Sequence, residues 1–181
     1  MAKEDNILVQ DFQQGNVGAF EVLYQRYMTK IYSFVLIKSG GNVALAQDIT
    51  SDTFLKAFDH LPNFTQTEKG TFSARLYRIA YHCFIDVIKG KSSETVILHA
   101  GNEVVEMNDM IDLYEKKMLT KDIVEYLETL GSEKKDIFLL RIWEELSYDE
   151  IAEIVGKSAE SCRQDFSRTM KKVEEKFKAI V

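Results

Sequence analysis

The stretch that most constrains this chain is residues 146–173, LSYDEIAEIVGKSAESCRQDFSRTMKKV, which predicts two helices joined by a turn of only a few residues. Ser147 followed by Glu150 is a capping box, in which each side chain answers an orphan N–H of the other's backbone. Ile151, Ala152, Ile154 and Val155 then form an apolar stripe at helical spacing. Gly156 suits the left-handed position just past a helix end. Ser158 can cap a second helix, whose apolar side is Cys162, Phe166, Met170, Val173 and Phe177, at steps of three or four. A pair this tight is the geometry that sets a second helix into a DNA major groove.

The outward face of the second helix fits that use. With Cys162 and Phe166 turned inward, Glu160, Gln164, Arg168 and Lys171 point away from the core, flanked by Ser161 and Arg163. Gln pairs with adenine edges, while Arg and Lys hold guanine edges or phosphates. Residues 157–181 carry seven Lys/Arg against four Asp/Glu, a net of +3; residues 122–153 carry three against ten, a net of −7. Charge is therefore polarised within one small segment, as expected if only the second helix meets phosphate.

A formal net charge of −6 excludes a protein that coats nucleic acid with its whole surface, so any DNA contact must come from local patches. Hydrophobic content of 45% with a single proline predicts folded, mainly helical structure. Cys83 and Cys162 fall at core-facing positions of separate helices, the pattern of buried reduced thiols in a reducing compartment. The opening residues, MAKEDNILVQDF, lack the basic region and apolar run of a signal peptide, and no apolar segment approaches the roughly 20 residues of a membrane span. The expectation is a soluble cytoplasmic protein without membrane insertion. No nucleophile–base pair, metal-ligand cluster or phosphate-cradling glycine loop stands in the sequence, so no catalytic residue, metal or cofactor is expected.

Along the first half, residues 4–14 predict a short helix with Ile7, Leu8 and Phe12 as its apolar positions and Gly15 ending it. Phe20, Leu23, Tyr24, Tyr27, Ile31, Phe34 and Val35 make a longer helical stripe, stopped by Gly40-Gly41. In the next helix Ala46, Ile49, Thr53, Phe54, Ala57, Phe58 and Leu61 face inward. Its other side shows Gln47, Asp48, Ser51, Asp52, Leu55 and Lys56, with Leu55 an exposed apolar group among acids and amides. A polar loop, residues 62–71, encloses Phe64. The helix after Thr71 turns Phe72, Leu76, Ile79, Ala80, Cys83, Phe84 and Val87 inward. Around it stand Arg75, Tyr77, Arg78, Tyr81, His82 and Lys89. Rings interleaved with cations suit single-stranded nucleic acid, since bases stack on rings while cations meet phosphate, and they equally suit the rim of a core. Residues 90–112 mix turn formers, acids and short apolar runs without a sustained period and are expected to be a linker. A helix returns over 113–130, and another over 133–143.

The order of these segments resembles a bacterial RNA polymerase sigma factor of the extracytoplasmic-function class, the compact form with two sigma-70-like regions. AFEVLYQRYMTKIYSFV resembles the opening of region two, AQDITSDTFLKAF its next helix, and FSARLYRIAYHCFIDVIKG the helix that melts and recognises the minus-ten element. LGSEKKDIFLLRIWEELSYDEIAEIVGKSAESCRQDFSRTMKKV resembles region four, which reads the minus-thirty-five element. The resemblance implies an all-α fold of two small helical domains, 1–90 and 113–181, joined by a linker over 91–112, with the helix-turn-helix in the second. It implies that the chain binds core RNA polymerase and directs promoter recognition and DNA melting, and that an anti-sigma factor holds it inactive. By that resemblance Gln47, Asp48, Ser51, Asp52 and Leu55 dock on the polymerase clamp. Asn63, Phe64, Thr65 and Thr71 capture a flipped minus-ten base, with Tyr77, Arg78, Tyr81 and His82 beside them on the DNA side of the following helix. Ser158, Glu160, Ser161, Arg163, Gln164, Arg168 and Lys171 serve the minus-thirty-five element. The acidic linker would thread the RNA exit channel.

Four departures from the family pattern carry expectations of their own. Arg75 stands where Trp is usual, so local packing should differ. The basic cluster after region two is reduced to Lys89 and Lys91. Asp165 replaces a commonly basic position and should weaken a DNA contact, while Gly131 replaces a usual Pro and should loosen its turn. The alternative function is a sigma-like interaction protein that binds polymerase or an anti-sigma factor without reading promoters. A simple helix-turn-helix repressor would leave residues 1–90 unexplained.

Overall fold

The computed structural model describes residues 2–65, 70–91 and 121–177. All regular structure among the described residues is helical, in agreement with the expected all-α class. The chain divides into two compact units, Met1–Asn102 and Glu103–Val181. The expected linker beyond residue 91, and the expected start of the returning helix before residue 121, lie outside the described residues.

The first unit holds α1 (Ala2–Gln13), α2 (Gly18–Lys38), α3 (Val43–His60), a 3-10 turn (Leu61–Asn63) and α4 (Phe72–Lys91). Helix α2, 21 residues and so ~31 Å long, is its spine. Leu23, Tyr27, Ile31, Phe34 and Val35 are all buried on it, as their spacing predicts. Gly40 and Gly41 both take positive φ, and the Gly41 N–H reaches back to the Leu36 carbonyl at 2.8 Å. That closes α2 and leads to Asn42, whose side chain caps α3 by accepting from the Leu45 N–H at 3.0 Å. Helix α4 packs against both α2 and α3, and α1 closes over its start.

Because α4 is covered from more than one side, its buried surface is wider than a single stripe. Tyr77 is only 1% exposed, its ring meeting Phe34 edge-on at 5.2 Å between centroids. The expectation that Tyr77 stands on the DNA side of α4 is therefore corrected: it is core. Phe64 is likewise corrected from a pocket wall to a core ring, 6% exposed and 6.3 Å from the Phe72 centroid. Arg75, in the usual Trp position, lays its guanidinium over Phe64 at 5.3 Å, which replaces ring packing by a cation–π contact. Tyr24 and Phe58 are partly exposed although the periodicity turned both inward, because their rings lie at the open edge of an aromatic cluster with Phe12, Phe20 and Phe54.

On α1 the buried positions are Asp5, Val9 and Phe12, while Ile7 is 58% exposed. Asp5 is 2% exposed and its two carboxylate oxygens accept from the Arg26 guanidinium and the Tyr27 hydroxyl. Gln13 ends the helix by donating to the Leu61 and Phe64 carbonyls at 3.0 and 2.7 Å, which fixes the 3-10 turn against α1.

The second unit holds α5 (Lys121–Thr129), α6 (Ser132–Trp143), α7 (Tyr148–Val155) and α8 (Ala159–Phe177). Helix α6 packs against each of the other three, and every residue from 135 to 140 is buried. Lys135, one of these, reaches out to Glu128 at 3.1 Å. Gly131 precedes α6 with φ 104°, a value proline cannot adopt, so the glycine is what this turn requires and not a loosened proline turn. Cys83 and Cys162 are both free and buried, as their positions predict.

Replacing Asp5 by Ala removes the buried acceptor that Arg26 and the Tyr27 hydroxyl share, leaves Arg26 the longer Glu4 contact at 3.8 Å, and is expected to cost the first unit about 2 kcal/mol. Ile7→Ser, two residues on and on the exposed side of the helix, is expected to change it by less than about 0.5 kcal/mol. Native-state hydrogen exchange of α1 and α2 amides measures both, and equal losses for the two variants would show that the Asp5 network contributes nothing specific.

Candidate nucleic-acid interface

The helix-turn-helix is built as its sequence predicts. Ser147 and Glu150 form the full capping box, with the Ser147 N–H donating to Glu150 Oε2 at 2.8 Å. Gly156 ends α7 at φ 74°, ψ 33°, and its N–H and that of Lys157 both return to the Ala152 carbonyl. Ser158 Oγ then accepts from the Ser161 N–H at 3.2 Å and starts α8. Ile151, Ile154, Cys162 and Val173 are buried between the two helices and α6. Burial pushes the Cys162 thiol up, with Lys157 opposing and Asp165 and Glu133 reinforcing the shift, so the protonated form is favoured.

Outside that core, Ser158, Glu160, Arg163, Gln164, Arg168 and Lys171 are exposed and Ser161 is half-buried. Glu160 holds two of them at once: Oε2 accepts from Arg163 at 3.2 Å and Oε1 from the Gln164 amide at 3.1 Å. The Arg163 guanidinium also lies 5.4 Å from the centroid of Tyr148, whose ring has Arg141 at 4.9 Å. Spacing gave no hint of this role for Tyr148.

Asp165 does not stand among the outward groups. It is turned to Lys157, whose ammonium lies 2.8 Å from Asp165 Oδ2 and also pairs with Glu133 at the start of α6. The expected repulsion between Asp165 and DNA is thereby corrected: the charge is spent on tying α8 and the turn to α6. Asp165 first, and Glu133 next, hold the Lys157 ammonium well above the ordinary lysine range, against a smaller opposing effect of burial.

In the first unit, Gln47, Asp48, Ser51, Asp52 and Leu55 form one exposed row along α3, with Leu55 63% exposed. Ala46, Ile49, Thr50, Thr53 and Ala57 anchor the opposite side. Lys56 turns from this row toward α4 and donates to Cys83 Sγ at 3.3 Å, which raises its pKa above the usual value. The row is left acidic, with one apolar group.

Asn63 and Thr65 are exposed beside the buried Phe64, and residues 66–69 of the expected base-capture loop lie outside the described residues. Thr71 caps α4, its Oγ1 accepting from the Ala74 N–H at 3.2 Å. Arg75, Arg78, His82 and Lys89 stand exposed at steps that keep them on one side of α4. Tyr81 is half-buried and carries the Lys38 ammonium 4.4 Å from its centroid. Among the described residues no group of three His, Cys, Asp or Glu could hold a metal ion.

These features define an all-α protein of two helical units, one carrying a helix-turn-helix with an exposed polar face and the other an exposed acidic row and a cationic stripe. Profiles of protein families agree: Sigma-70 region 2 matches residues 23–94, and Sigma-70, region 4 matches residues 120–173. The RNA polymerase sigma factor YlaC of Bacillus subtilis is 30% identical over 145 residues, 77% of this chain and 81% of that protein. The ECF RNA polymerase sigma factor BldN of Streptomyces coelicolor is 29% identical over 155 residues, 83% of this chain and 57% of that longer protein. The ECF RNA polymerase sigma-E factor of Escherichia coli is 26% identical over 189 residues, 98% of this chain and 96% of that one. Among solved structures, CnrH in complex with the cytosolic domain of CnrY shares the fold, with a TM-score of 0.64 at 20% identity over 98% of this chain and 99% of that one. The chain belongs to the sigma-70 family, in its extracytoplasmic-function branch, and is a promoter-recognising factor of transcription initiation.

Lys157→Met is expected to destabilise the second unit by roughly 1 kcal/mol at low salt, and by less in 1 M salt, where the ion pairs are screened. Since the folded chain raises the lysine pKa from 10.5, the Lys157 contribution is complete below that pH and declines only in more alkaline solution. Urea unfolding at two ionic strengths and at rising pH measures both effects. A variant midpoint shifted equally at low and high salt would remove the ionic explanation.

Proposed function

We propose that the two units divide promoter opening between them on core RNA polymerase, in the cytoplasm. The first unit docks on the polymerase clamp through Gln47, Asp48, Ser51, Asp52 and Leu55. It meets the minus-ten element through Asn63, Thr65 and Thr71, and through Arg78, His82 and the edge of Tyr81. The second places α8 in the major groove of the minus-thirty-five element, with Arg163 and Gln164 toward the bases and Ser158, Ser161, Arg168 and Lys171 toward phosphate. The observation that carries this reading is the outward face of α8, where amide and guanidinium groups stand together on a capped helix from which Asp165 has been withdrawn. The Leu55 row supports the polymerase side: an apolar group this exposed, set among acids on a rigid helix, fits a protein contact. The CnrH complex with the cytosolic domain of CnrY supports a further part of the proposal, that an anti-sigma factor controls this chain. Among the described residues no helix is long and apolar enough to cross a membrane.

Run-off transcription with purified core polymerase on a genomic promoter pool tests the whole reading: discrete new start sites sharing two spaced motifs are expected, and their absence would overturn it. Leu55→Asp should abolish co-purification with core polymerase while leaving the helical content unchanged, because the side chain supports no core. Retained binding would sink the docking assignment. Gln164→Ala should relax preference at one position of the minus-thirty-five element by roughly tenfold, the scale of one lost bidentate base contact, and unchanged preference across a promoter library contradicts that role.

A further inference from the structure

An open groove of about 320 Å³ runs along the flank of α8 beside the first turn of α6. Lys134 of α6 and Arg168, Lys171 and Lys172 of α8 line it, together with Asp165, Glu175 and Thr169. The two carboxylates leave three of these four cations uncompensated. Asp165 is held by Lys157 at 2.8 Å, and Glu175 is 3.9 Å from Lys171. Lys134, Arg168 and Lys172 have no carboxylate within ion-pair distance among the described residues. Three uncompensated cations converging on one groove, in a chain of net charge −6, raise the local potential and favour an anion there.

Thr169 supplies the second, independent observation. A threonine inside a helix commonly donates its hydroxyl to the carbonyl four residues back, as Thr50 and Thr53 do at 2.6 Å each. Thr169 is 1% exposed, and its Oγ1 is buried without a hydrogen-bond partner among the described residues. A buried polar group left in this state is uncommon and asks for a ligand or water. Thr169 lines the same groove as the cations, and a small rotation of its side chain would bring the spare hydroxyl to an anion they attract.

We propose that this groove binds a phosphate group, held by Lys134, Arg168 and Lys172 and seated on Thr169. The size suits one phosphate or a short chain of them, and several cations with one hydroxyl donor match its several acceptor oxygens. The group has two sources. One is a DNA backbone phosphate beside the bases that α8 reads, which rests on the reading of α8 given above. The other is free phosphate or polyphosphate, which does not.

The experiment uses the full chain and two variants, Thr169→Val, which keeps the shape and removes the hydroxyl, and Lys134→Ala with Lys172→Ala, which leaves Gln164 and Arg163 untouched. Inorganic phosphate and tripolyphosphate are titrated while backbone amide resonances of α8 are followed, and promoter binding by the polymerase complex is measured against salt. If free phosphate is the ligand, the Thr169 and Lys172 amides shift on titration and both variants weaken the midpoint at least fivefold. If the ligand is a DNA phosphate, free phosphate moves nothing, while the lysine variant lowers the slope of log affinity on log salt by about 1. Unmoved amides together with an unchanged salt slope overturn the proposal. Should wild-type chain give no promoter-directed transcripts at all, the reading of α8 fails, and the phosphate titration still decides the groove.

Discussion

Each unit depends on one helix that is buried from more than one direction. In the first unit this is α2, packed against α1, α3 and α4; in the second it is α6, enclosed by α5, α7 and α8. Small helical units without a covalent staple have little apolar area to bury for their surface, so one element has to be nearly surrounded for the rest to find a core. The two cysteines are free, and they contribute to this only as small apolar groups. Aromatic rings do much of the filling in the first unit, where Tyr27 meets Phe72 at 5.7 Å and Phe34 meets Tyr77 at 5.2 Å. Edge-to-face pairs of this kind add about 0.5–1.5 kcal/mol each beyond their burial.

Surrounding one helix fixes which faces of the others remain available. With α2 and α4 packed on it, α3 leaves exposed the row from Gln47 to Leu55, together with Lys56 and its last turn. With α6 behind it, α8 leaves exposed the side from Ser158 to Lys171 and the charged groups of its last turns. Between these two demands the charges are sorted by reach. Lys157 comes from the turn, spans Glu133 on one helix and Asp165 on another, and so sets the angle of α8 with an ammonium where apolar packing is thin. Lys135 is handled the opposite way, buried along its stem with its head carried to Glu128.

Much of this was legible in the sequence wherever one residue type has one reason to be present. Ser147, Glu150 and Gly156 mark a helix start and end through backbone valence and φ, and all three stand as their chemistry requires. The α3 row was also legible, because that helix buries a single face. Tyr77 and Phe64 were not. Periodicity assigns one buried stripe to a helix, and α4 buries two; Phe64 sits in a turn, where no period applies and only contact with Phe72 and Gln13's hold on the turn decide its burial. Ion pairs were the least legible. Lys157 and Asp165 are eight residues apart across a turn, and Asp5 and Arg26 lie on different helices, so neither pairing leaves a pattern along the chain. A residue that departs from its family, such as Asp165 or Gly131, was read as a loss when seen alone; its neighbours show it to be a local solution.

The grip of Glu160 on Arg163 and Gln164 bears on how discriminating a reading helix of this kind is. Both side chains already have acceptors within their own helix, at 3.2 and 3.1 Å. A base edge therefore has to outcompete a carboxylate that is always present at fixed concentration, next door. Exposed contacts of this type are worth about 0.2–1 kcal/mol, less than the roughly 1–3 kcal/mol that a good bidentate base contact returns. On the reading of α8 proposed above, Glu160 therefore trims the net gain from each side chain without abolishing it, and holds both in place until a base edge takes over.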